Sequence, residues 1–283
     1  GFDCFGAALS LYDDVVAQVS DSPGVRVDVH GEGADSVPRD HRHLVARAML
    51  RGFDLLGGRP RGVDLVCANR IPHGRGLGSS AGAIVGGLLL ARSLVVGGEE
   101  RLPDDAVLAA AAELEGHPDN VSACLFGGVT LAWSGDGEPT RALRLAPAAG
   151  IVPVVCVPAT AVATKKARSL LPDTVSHADA AANSARSALL AVAIRSRPDL
   201  LMSATRDFLH QEYRRPAYPR TLDLVAALRS AGIPAVISGA GPTVLALAGG
   251  ASAPRVAQIA GARFTPHVLA FDTEGARIVP VEE

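Results

Sequence analysis

Three glycines and two serines precede a long apolar stretch in residues 74–82 (GRGLGSSAG). Glycine allows a tight turn and lets the backbone come within hydrogen-bonding distance of a ligand. A helix that begins after such a loop offers unpaired N–H groups and a partial positive charge, which together favour phosphate. The hydroxyl of Ser80 could also ligate a magnesium ion. The alternative is a glycine-rich loop in which Ser79 or Ser80 only caps the helix, and the loop alone does not decide between the two.

Two common phosphate-binding motifs do not match this segment. A P-loop requires a lysine directly before its serine or threonine, and no lysine stands in that position before Ser79 or Ser80. A dinucleotide-binding fingerprint places G-x-G-x-x-G directly after a strand. Here Ser79 occupies the position of the last glycine, and residues 71–73 (IPH) separate the loop from the predicted strand. The sequence therefore favours a phosphate loop of another type.

A second polar group lies in residues 113–120 (ELEGHPDN). Glu115 is at the end of a predicted helix, and its carboxylate could bind magnesium, a hard cation that uses few carboxylates and keeps several waters. The alternative is a helix–turn–helix in which Gly116 caps the first helix and Asp119 caps the second. His117 is interpreted as a turn residue rather than as a general base.

Two further features are a glycine turn and two basic segments. Residues 238–242 (SGAGP) lie between apolar segments and predict either a plain hairpin turn or a turn brought against a phosphate or substrate site. Basic residues occur in residues 164–168 (TKKAR) and 211–215 (QEYRR). Arginine suits two-point recognition of a carboxylate better than lysine does, although most such residues are solvated surface charges.

Composition excludes several classes of function. Lys and Arg (27) nearly balance Asp and Glu (29), so no basic surface for nucleic acid is predicted, and 4% aromatic residues provide no surface for stacking single strands. The most apolar window, residues 81–96, is shorter than the roughly 20 residues of a membrane span and contains Arg92. The four cysteines lie far apart, without metal-ligand spacing, and predict buried thiols in a reducing cytoplasm.

The helices and strands that must position these residues are predicted in groups along the chain. The length of 283 residues predicts one large domain or two modest ones, with the boundary in the polar segment 134–150. Strands and helices do not alternate strictly, which favours an α+β fold over a doubly wound α/β fold. The patterns predict helices over residues 81–96, 104–114, 164–171, 178–196, 200–209 and 221–230, and strands over 63–69, 128–133, 151–158, 236–239, 243–248 and 268–271.

Taken in order, these segments resemble the homoserine kinases, in the superfamily that also contains galactokinase, mevalonate kinase and phosphomevalonate kinase. GFDCFGAALSLYD looks like the end of the family's first motif, and IPHGRGLGSSAGA is similar to the superfamily's phosphate loop. EGHPDN, TKKARSLLP, HQEYR and SGAGPTVLAL then follow in family order, so the match runs through nearly the whole chain.

The resemblance implies a two-domain α+β fold with the active site in the cleft between domains. Residues 1–145 would form an N-terminal ATP-binding domain similar to ribosomal protein S5. Residues 146–283 would form a C-terminal α/β-sandwich domain that completes the substrate site. The implied reaction is ATP-dependent phosphorylation of the L-homoserine hydroxyl to O-phospho-L-homoserine, a step of threonine biosynthesis.

The resemblance also implies ATP and Mg²⁺ as cofactors and a homodimer, as is common in the family. The cysteines, the balanced charge and the short apolar window predict a cytoplasmic protein without a nucleic-acid or membrane partner. Phosphoryl transfer mainly requires in-line positioning and charge neutralisation, so no residue is assigned as a general base. Two alternatives stay open: a kinase of the same superfamily that acts on another small alcohol, and a nucleotide-binding relative without turnover.

Site residues follow from the resemblance by position. The residues that would wrap the triphosphate are Gly74, Gly76, Leu77, Gly78, Ser79, Ser80 and Ala81. Magnesium would be held by Ser80 and Glu115. The residues assigned to homoserine are Asp3 and Asn120 for its amino and hydroxyl end, Arg168 and Arg214 for its carboxylate, Thr164 close to the same pocket, and Gly239 and Gly241 in the glycine turn beside the ligands.

Overall fold

The computed structural model describes residues 4–135 and 137–279, which form two compact units. Unit 1 contains the described residues of segments 4–71, 78–144 and 272–279, and unit 2 contains residues 72–77 and 145–271. The prediction placed a single boundary between residues 145 and 146. The units differ from it because residues 72–77 and Leu145 belong to unit 2 and residues 272–279 belong to unit 1.

The described residues of unit 1 form two three-stranded sheets and five α-helices. The strands are β1 (Cys4–Ala7), β2 (Asp14–Ser20), β3 (Gly24–Gly31), β4 (Gly62–Asn69), β5 (Val129–Gly135) and β6 (Glu138–Leu145). The helices are α1 (Leu44–Leu55), α2 (Ser79–Ser93), α3 (Gly98–Arg101), α4 (Asp104–Glu115) and α5 (Asp119–Phe126). One sheet has the order β1-β5-β6 and the other has the order β2-β4-β3.

The sheet β2-β4-β3 explains why α1 lies where it does. Strand β4 is antiparallel to β2 but parallel to β3, and a parallel pair needs a crossover connection, which here contains α1. Helix α1 packs closely against α2 because glycines lie at the contact. A Cβ atom on Gly87 would come within 2.5 Å of the Val45 carbonyl oxygen, so only glycine permits this approach.

Helix α2 is the centre of the part of unit 1 that carries the predicted phosphate and metal residues. It is apolar nearly all round, and α1, α4 and α5 pack against it. Its buried residues include Ile84, Leu88 and Leu89, which join one core cluster with Leu108 of α4 and Val121 of α5. A helix that is apolar on every side must be covered on every side. This packing brings the end of α4 and the start of α5 to the first turn of α2.

Unit 2 contains one four-stranded sheet with helices. Its strands are β7 (Ile151–Pro158), β8 (Ala235–Ile237), β9 (Val244–Gly249) and β10 (Phe264–Val268), in the order β10-β7-β9-β8 with every pair antiparallel. Its helices are α6 (Thr164–Arg168), α7 (His177–Ser196), α8 (Leu201–Ala204), α9 (Pro219–Ser230) and α10 (Ala253–Ala260). The apolar run of β7 is explained by its central place in this sheet, against which α10 packs.

The structure corrects three of the predicted elements. The helix predicted over residues 200–209 is only the short α8, because residues 207–211 form a turn in which Asp207 accepts three backbone N–H bonds. The polar segment after β5 contains β6, where a loop was predicted. The strand predicted over residues 268–271 lies earlier, in β10, where its register is set by pairing with β7. Helix α10 was not predicted.

Membrane and cysteine chemistry can be stated only for the described residues. None of their helices combines the length and the apolar character that a membrane crossing needs. Within the same residues, Cys67, Cys124 and Cys156 are free thiols, and burial raises the pKa of each, to about 11, 12 and 11 respectively. These thiols are therefore uncharged at neutral pH.

Asp272 ties the last described segment to unit 1. Its backbone N–H donates to the Ala8 carbonyl and its own carbonyl accepts from Gly128 N–H. Burial would raise the pKa of Asp272, but N–H donors of Gly275 and Glu274 and the Tyr12 hydroxyl bond its carboxylate, so its pKa is lowered overall. The charged form is therefore the one that the fold stabilises.

We expect Asp272→Ala to lower the free energy of unfolding by about 1–3 kcal/mol, because buried N–H groups lose a charged acceptor. Urea denaturation at neutral pH measures this, with the exposed Asp173→Ala as control. A lowered folded-state pKa means that the stabilisation is present above the ordinary value of 3.8 and is lost as the pH falls below it. Equal stability of both variants at pH 7 would contradict this role.

Candidate active site

The glycine-rich loop adopts the backbone that the sequence predicts. Gly74, Gly76 and Gly78 have φ angles of 66°, 75° and 76°, in the left-handed region that favours glycine. Gly78 is the residue before α2, and the helix starts at Ser79 rather than at the predicted Ala81. The first turn of α2, all of which the structure describes, contains no acidic side chain. Its N–H groups and positive dipole end therefore suit an anion.

Within unit 2, residues 74–76 are held by their carbonyl oxygens. The Gly74 carbonyl accepts from Val162 N–H at 3.0 Å, and the Arg75 carbonyl accepts from Thr243 N–H at 3.3 Å. The Gly76 carbonyl accepts from the Ser238 hydroxyl at 2.7 Å. Three successive carbonyls thus bond to protein partners, which fixes the backbone of the loop.

The side chain of Arg75 also supports the loop. Its guanidinium donates to the carbonyl oxygens of His73 (2.9 Å), Pro158 (3.1 Å) and Ala159 (2.8 Å). All three acceptors belong to unit 2, so the guanidinium group forms its hydrogen bonds inside that unit. The sequence shows a cation in a phosphate loop, but the structure uses that cation to anchor the loop to the end of β7.

The turn at residues 238–242 packs against the loop. A Cβ on Gly76 would lie 2.3 Å from the Ser238 carbonyl oxygen and 3.0 Å from Gly241 N. A Cβ on Gly241 would lie 2.8 Å from the Tyr218 ring. A Cβ on Gly239 would lie 3.4 Å from the Gly76 carbonyl oxygen. The structure therefore places the predicted substrate glycines, Gly239 and Gly241, beside the phosphate loop, in the hairpin between β8 and β9.

In unit 1, a short chain of polar contacts runs from α2 to the start of α5. The Ser80 hydroxyl donates to Glu115 Oε1 at 2.5 Å; Ser80 is half-buried, and the Glu115 side chain is 9% exposed. His117 Nε2 lies 3.9 Å from the same Glu115 oxygen, and His117 Nδ1 lies 2.5 Å from Asp119 Oδ1. Gly116 has a φ of 84° and ends α4, which turns the chain so that these residues meet.

The other residues of unit 1 that were predicted to bind the substrate are Asn120 and Asp3. Asn120 lies in the first turn of α5, where its N–H donates to Asp119 Oδ1 at 2.7 Å and its side chain faces Gly78. Asp3 lies outside the described residues. Glu113, which precedes Glu115 by two positions, points elsewhere and pairs with Arg51 at 3.1 Å on the surface.

Arg214 is the buried cation of unit 2. It is 7% exposed, and Nη1 donates to the Gly239 carbonyl at 3.2 Å, whereas Nε has no hydrogen-bond partner in the described part of the chain. Arg215 is different, because it forms surface ion pairs with Glu212 and Asp223. A buried guanidinium with an unused donor is suited to an anionic ligand.

Neighbouring groups share the environment of Arg214. Burial raises the pKa of Tyr218, whereas the positive charge of Arg214 acts in the opposite direction. Burial lowers the pKa of His210, and Arg214 lowers it further against the opposing effect of Asp207. Gln211 accepts from Ile237 N–H at 2.7 Å, which attaches this segment to β8.

Two other residues that were predicted for the homoserine pocket, Thr164 and Arg168, lie on α6. Thr164 is its exposed first residue, and Arg168, its last residue, is partly buried. The helix follows β7, so both residues belong to unit 2 together with Arg214, Gly239 and Gly241. Sequence reasoning did not assign roles to Arg75 or Ser238. It considered Asp119 only as the cap of the second helix, whereas Asp119 is the first residue of α5 and its carboxylate contacts His117.

Two family models and several curated relatives match the chain. The models for the N-terminal and the C-terminal domains of GHMP kinases match residues 43–128 and 185–265. A homoserine kinase of Streptomyces avermitilis is 57% identical over 281 residues, which are 99% of this chain and 92% of that protein. The chain belongs to the homoserine kinases, a branch of the GHMP kinase family. A homoserine kinase of Streptomyces coelicolor is 56% identical over 99% of this chain and 90% of that protein.

Solved structures agree with this membership of the GHMP kinase family. The crystal structure of a homoserine kinase from Cytophaga hutchinsonii has a TM-score of 0.85 and 27% identity, and the match covers 97% of this chain and 91% of that one. The predicted family, the mixed α and β two-domain fold and the enzyme class of kinase are therefore confirmed. GHMP kinases use ATP.

The residues present fit ATP and a divalent cation. The left-handed glycines and the start of α2 offer N–H groups for phosphate oxygens. A serine hydroxyl and a glutamate carboxylate are hard oxygen donors, which magnesium prefers. In the described residues no group of three or more His, Cys, Asp or Glu side chains is arranged for a metal. Phosphate oxygens and water would therefore have to complete the coordination of Mg²⁺ at Ser80 and Glu115.

We expect Gly76→Ala to weaken nucleotide binding at least tenfold, because its Cβ would overlap the Ser238 carbonyl and a left-handed φ strains alanine by about 1–2 kcal/mol. Calorimetric titration with ADP measures the change. Gly86→Ala is the matched control, since its Cβ would meet open space inside α2, and it should bind ADP normally. Similar ADP affinities for the two variants would show that the loop does not bind phosphate.

Proposed function

We propose that the protein transfers the terminal phosphoryl group of ATP to the side-chain hydroxyl of L-homoserine and forms O-phospho-L-homoserine. The observation that carries this proposal is the 57% identity, over 99% of the chain, to a protein named homoserine kinase. The local geometry supports a phosphoryl transfer in general, since it combines a glycine loop, a helix N-terminus and a hydroxyl–carboxylate pair.

The phosphate end of the reaction is assigned to unit 1 and to the loop. The backbone N–H groups of residues 74–81 would bind the triphosphate, and the rigid support of the loop keeps them oriented without reorganisation. Ser80 and Glu115 would hold Mg²⁺, which neutralises phosphate charge when bound. The Ser80 hydroxyl donates to Glu115 Oε1, so the two proposed metal ligands lie next to each other.

The amino-acid end is assigned to charged groups that match a zwitterion. Arg168 and Arg214 would bind the carboxylate, and the unused Nε of the buried Arg214 supports this assignment. Asn120 and Asp3 would bind the hydroxyl and amino end, and Thr164, the first residue of the helix that ends at Arg168, would lie close to the same pocket. Gly239 and Gly241 would act through the backbone, with the Gly239 carbonyl holding Arg214.

No residue is assigned as a general base in this proposal. In-line positioning and charge neutralisation supply most of the rate in phosphoryl transfer, so the hydroxyl proton can leave late, to a phosphate oxygen. A homodimer and a cytoplasmic location also belong to the proposal, by resemblance to the family. The free thiols of Cys67, Cys124 and Cys156 are compatible with a reducing compartment.

A coupled assay of ADP release tests the proposal directly. The protein is supplied with MgATP and, in separate reactions, with L-homoserine, mevalonate or galactose. The proposed function requires that homoserine has the highest kcat/KM by at least 100-fold. ADP release that favours mevalonate or galactose would assign another substrate, and ATP binding without ADP release would assign a non-catalytic role.

We expect Arg168→Ala to raise the KM for homoserine about 10- to 100-fold, since a charge-assisted hydrogen bond is worth about 1.5–3 kcal/mol. The KM for ATP should change less than threefold. Lys166→Ala, an exposed cation of the same helix, is the control for net charge. An equal rise in both KM values would contradict the assignment of Arg168 to the substrate carboxylate.

We expect Glu115→Gln to lower kcat by about 100-fold, the effect of about 3 kcal/mol of lost charge stabilisation. It should also raise the Mg²⁺ concentration needed for half-maximal activity. Glu113→Gln, on the same helix but exposed and paired with Arg51, is the matched control and should retain activity. Unchanged activity of Glu115→Gln would exclude it as a metal ligand.

A further inference from the structure

Tyr218 is a buried polar residue of unit 2 to which the proposed function gives no role. It is 5% exposed, and its hydroxyl oxygen has no hydrogen-bond partner among the residues that the structure describes. Native proteins seldom leave a buried hydroxyl unpaired, because such a group has lost its bonds to water and gained none in return. The position of this hydroxyl therefore calls for a reason other than stability.

The side chains of Tyr218 and Arg214 contact the same glycine turn. Arg214 Nη1 donates to the Gly239 carbonyl at 3.2 Å. A Cβ on Gly241 would lie 2.9 Å from Tyr218 Cζ, the ring carbon that carries the hydroxyl. The two contact points lie close together in the short connection between β8 and β9. The guanidinium group and the phenol are therefore neighbours at one place in unit 2.

The Tyr218 hydroxyl is a hydrogen-bond donor at neutral pH. Burial is the main effect on its pKa and raises it above the ordinary value of 10, against the opposing positive charge of Arg214. The effect of that charge also agrees with the closeness of the two groups. A phenol that keeps its proton can donate to an anion.

Arg214 offers a second unused donor beside this hydroxyl. Its Nε, like the Tyr218 oxygen, has no hydrogen-bond partner in the described part of the chain, so the two atoms are not bonded to each other either. A carboxylate only accepts hydrogen bonds and has two oxygens to accept them. Two neighbouring donors without an acceptor therefore match a carboxylate ligand.

We propose that the Tyr218 hydroxyl binds the carboxylate of homoserine together with Arg214 and so selects for a substrate that carries this group. The inference rests on the proposed function, which assigns the same carboxylate to Arg214. The substrate would supply the acceptor that the described residues do not provide. The hydrogen bond of Tyr218 would then strengthen the binding of homoserine rather than the folding of the chain.

Tyr218→Phe removes the hydroxyl and keeps the ring against Gly241. We expect the KM for homoserine to rise about tenfold, because a hydrogen bond to a charged group is lost, while the KM for ATP changes less than twofold. Inhibition by 3-aminopropan-1-ol, which is homoserine without its carboxylate, should be equal in both proteins. Tyr213→Phe, an exposed tyrosine of the same segment, is the matched control and should leave all three constants unchanged.

The Tm provides a readout that needs no turnover. Without substrate, Tyr218→Phe should be at least as stable as the wild-type protein, since phenylalanine buries no unpaired hydroxyl. Homoserine added with ADP should raise the Tm of the wild-type protein more than that of Tyr218→Phe, because a tighter ligand stabilises more. A hydroxyl with only a structural role would instead lower the Tm of the variant without substrate.

Two results would overturn the proposal. One is a KM for homoserine in Tyr218→Phe that stays within twofold of the wild-type value. The other is an equal loss of affinity for homoserine and for 3-aminopropan-1-ol. Homoserine-dependent ADP release by the wild-type protein is measured in parallel, and its absence would reject the proposed function. The shift in Tm caused by homoserine would still decide the role of Tyr218 in that case.

Discussion

The backbone of the phosphate loop is the constraint on which the other features depend. Its three glycines occupy left-handed conformations that cost other residues about 1–2 kcal/mol each, and the carbonyls of residues 74–76 are bonded by Val162, Thr243 and Ser238. Because those carbonyls are occupied by protein donors, the loop is held without a ligand. Preorganised N–H groups need no rearrangement when charge develops, which is the main requirement of phosphoryl transfer.

Few charged groups of the protein are proposed to bind the anionic ligands. The protein has a net charge of −2. Arg75 hydrogen-bonds to backbone carbonyls and so supports the loop, whereas Arg215 forms ion pairs on the surface. Arg214 differs from both, because it is buried and keeps an unused donor. In the proposed function, backbone N–H groups, a metal site and selected arginines would recognise the anionic ligands, and this recognition would need no basic surface.

Sequence patterns predicted β7, α4 and the hairpin around residues 238–242, because apolar runs, helix ends and glycine turns are local signals. They failed for α10 and for the position of β10, whose register depends on pairing with a strand more than a hundred residues away. The assignment of Arg214 to the substrate carboxylate came from the resemblance and stays a prediction. Its neighbour Arg215 could be told apart from it only in the structure, where Arg214 is buried and Arg215 forms surface ion pairs. His117 was interpreted as a turn residue because its contact with Asp119 depends on the turn at Gly116.

The central claim is that the loop and its metal donors direct phosphate onto a hydroxyl of homoserine rather than onto water. ³¹P NMR of a reaction with MgATP and L-homoserine labelled with ¹³C at the hydroxyl-bearing carbon measures this directly. The account predicts a new phosphomonoester signal coupled to that carbon, in amount equal to the ADP formed. Inorganic phosphate as the sole new signal would contradict it.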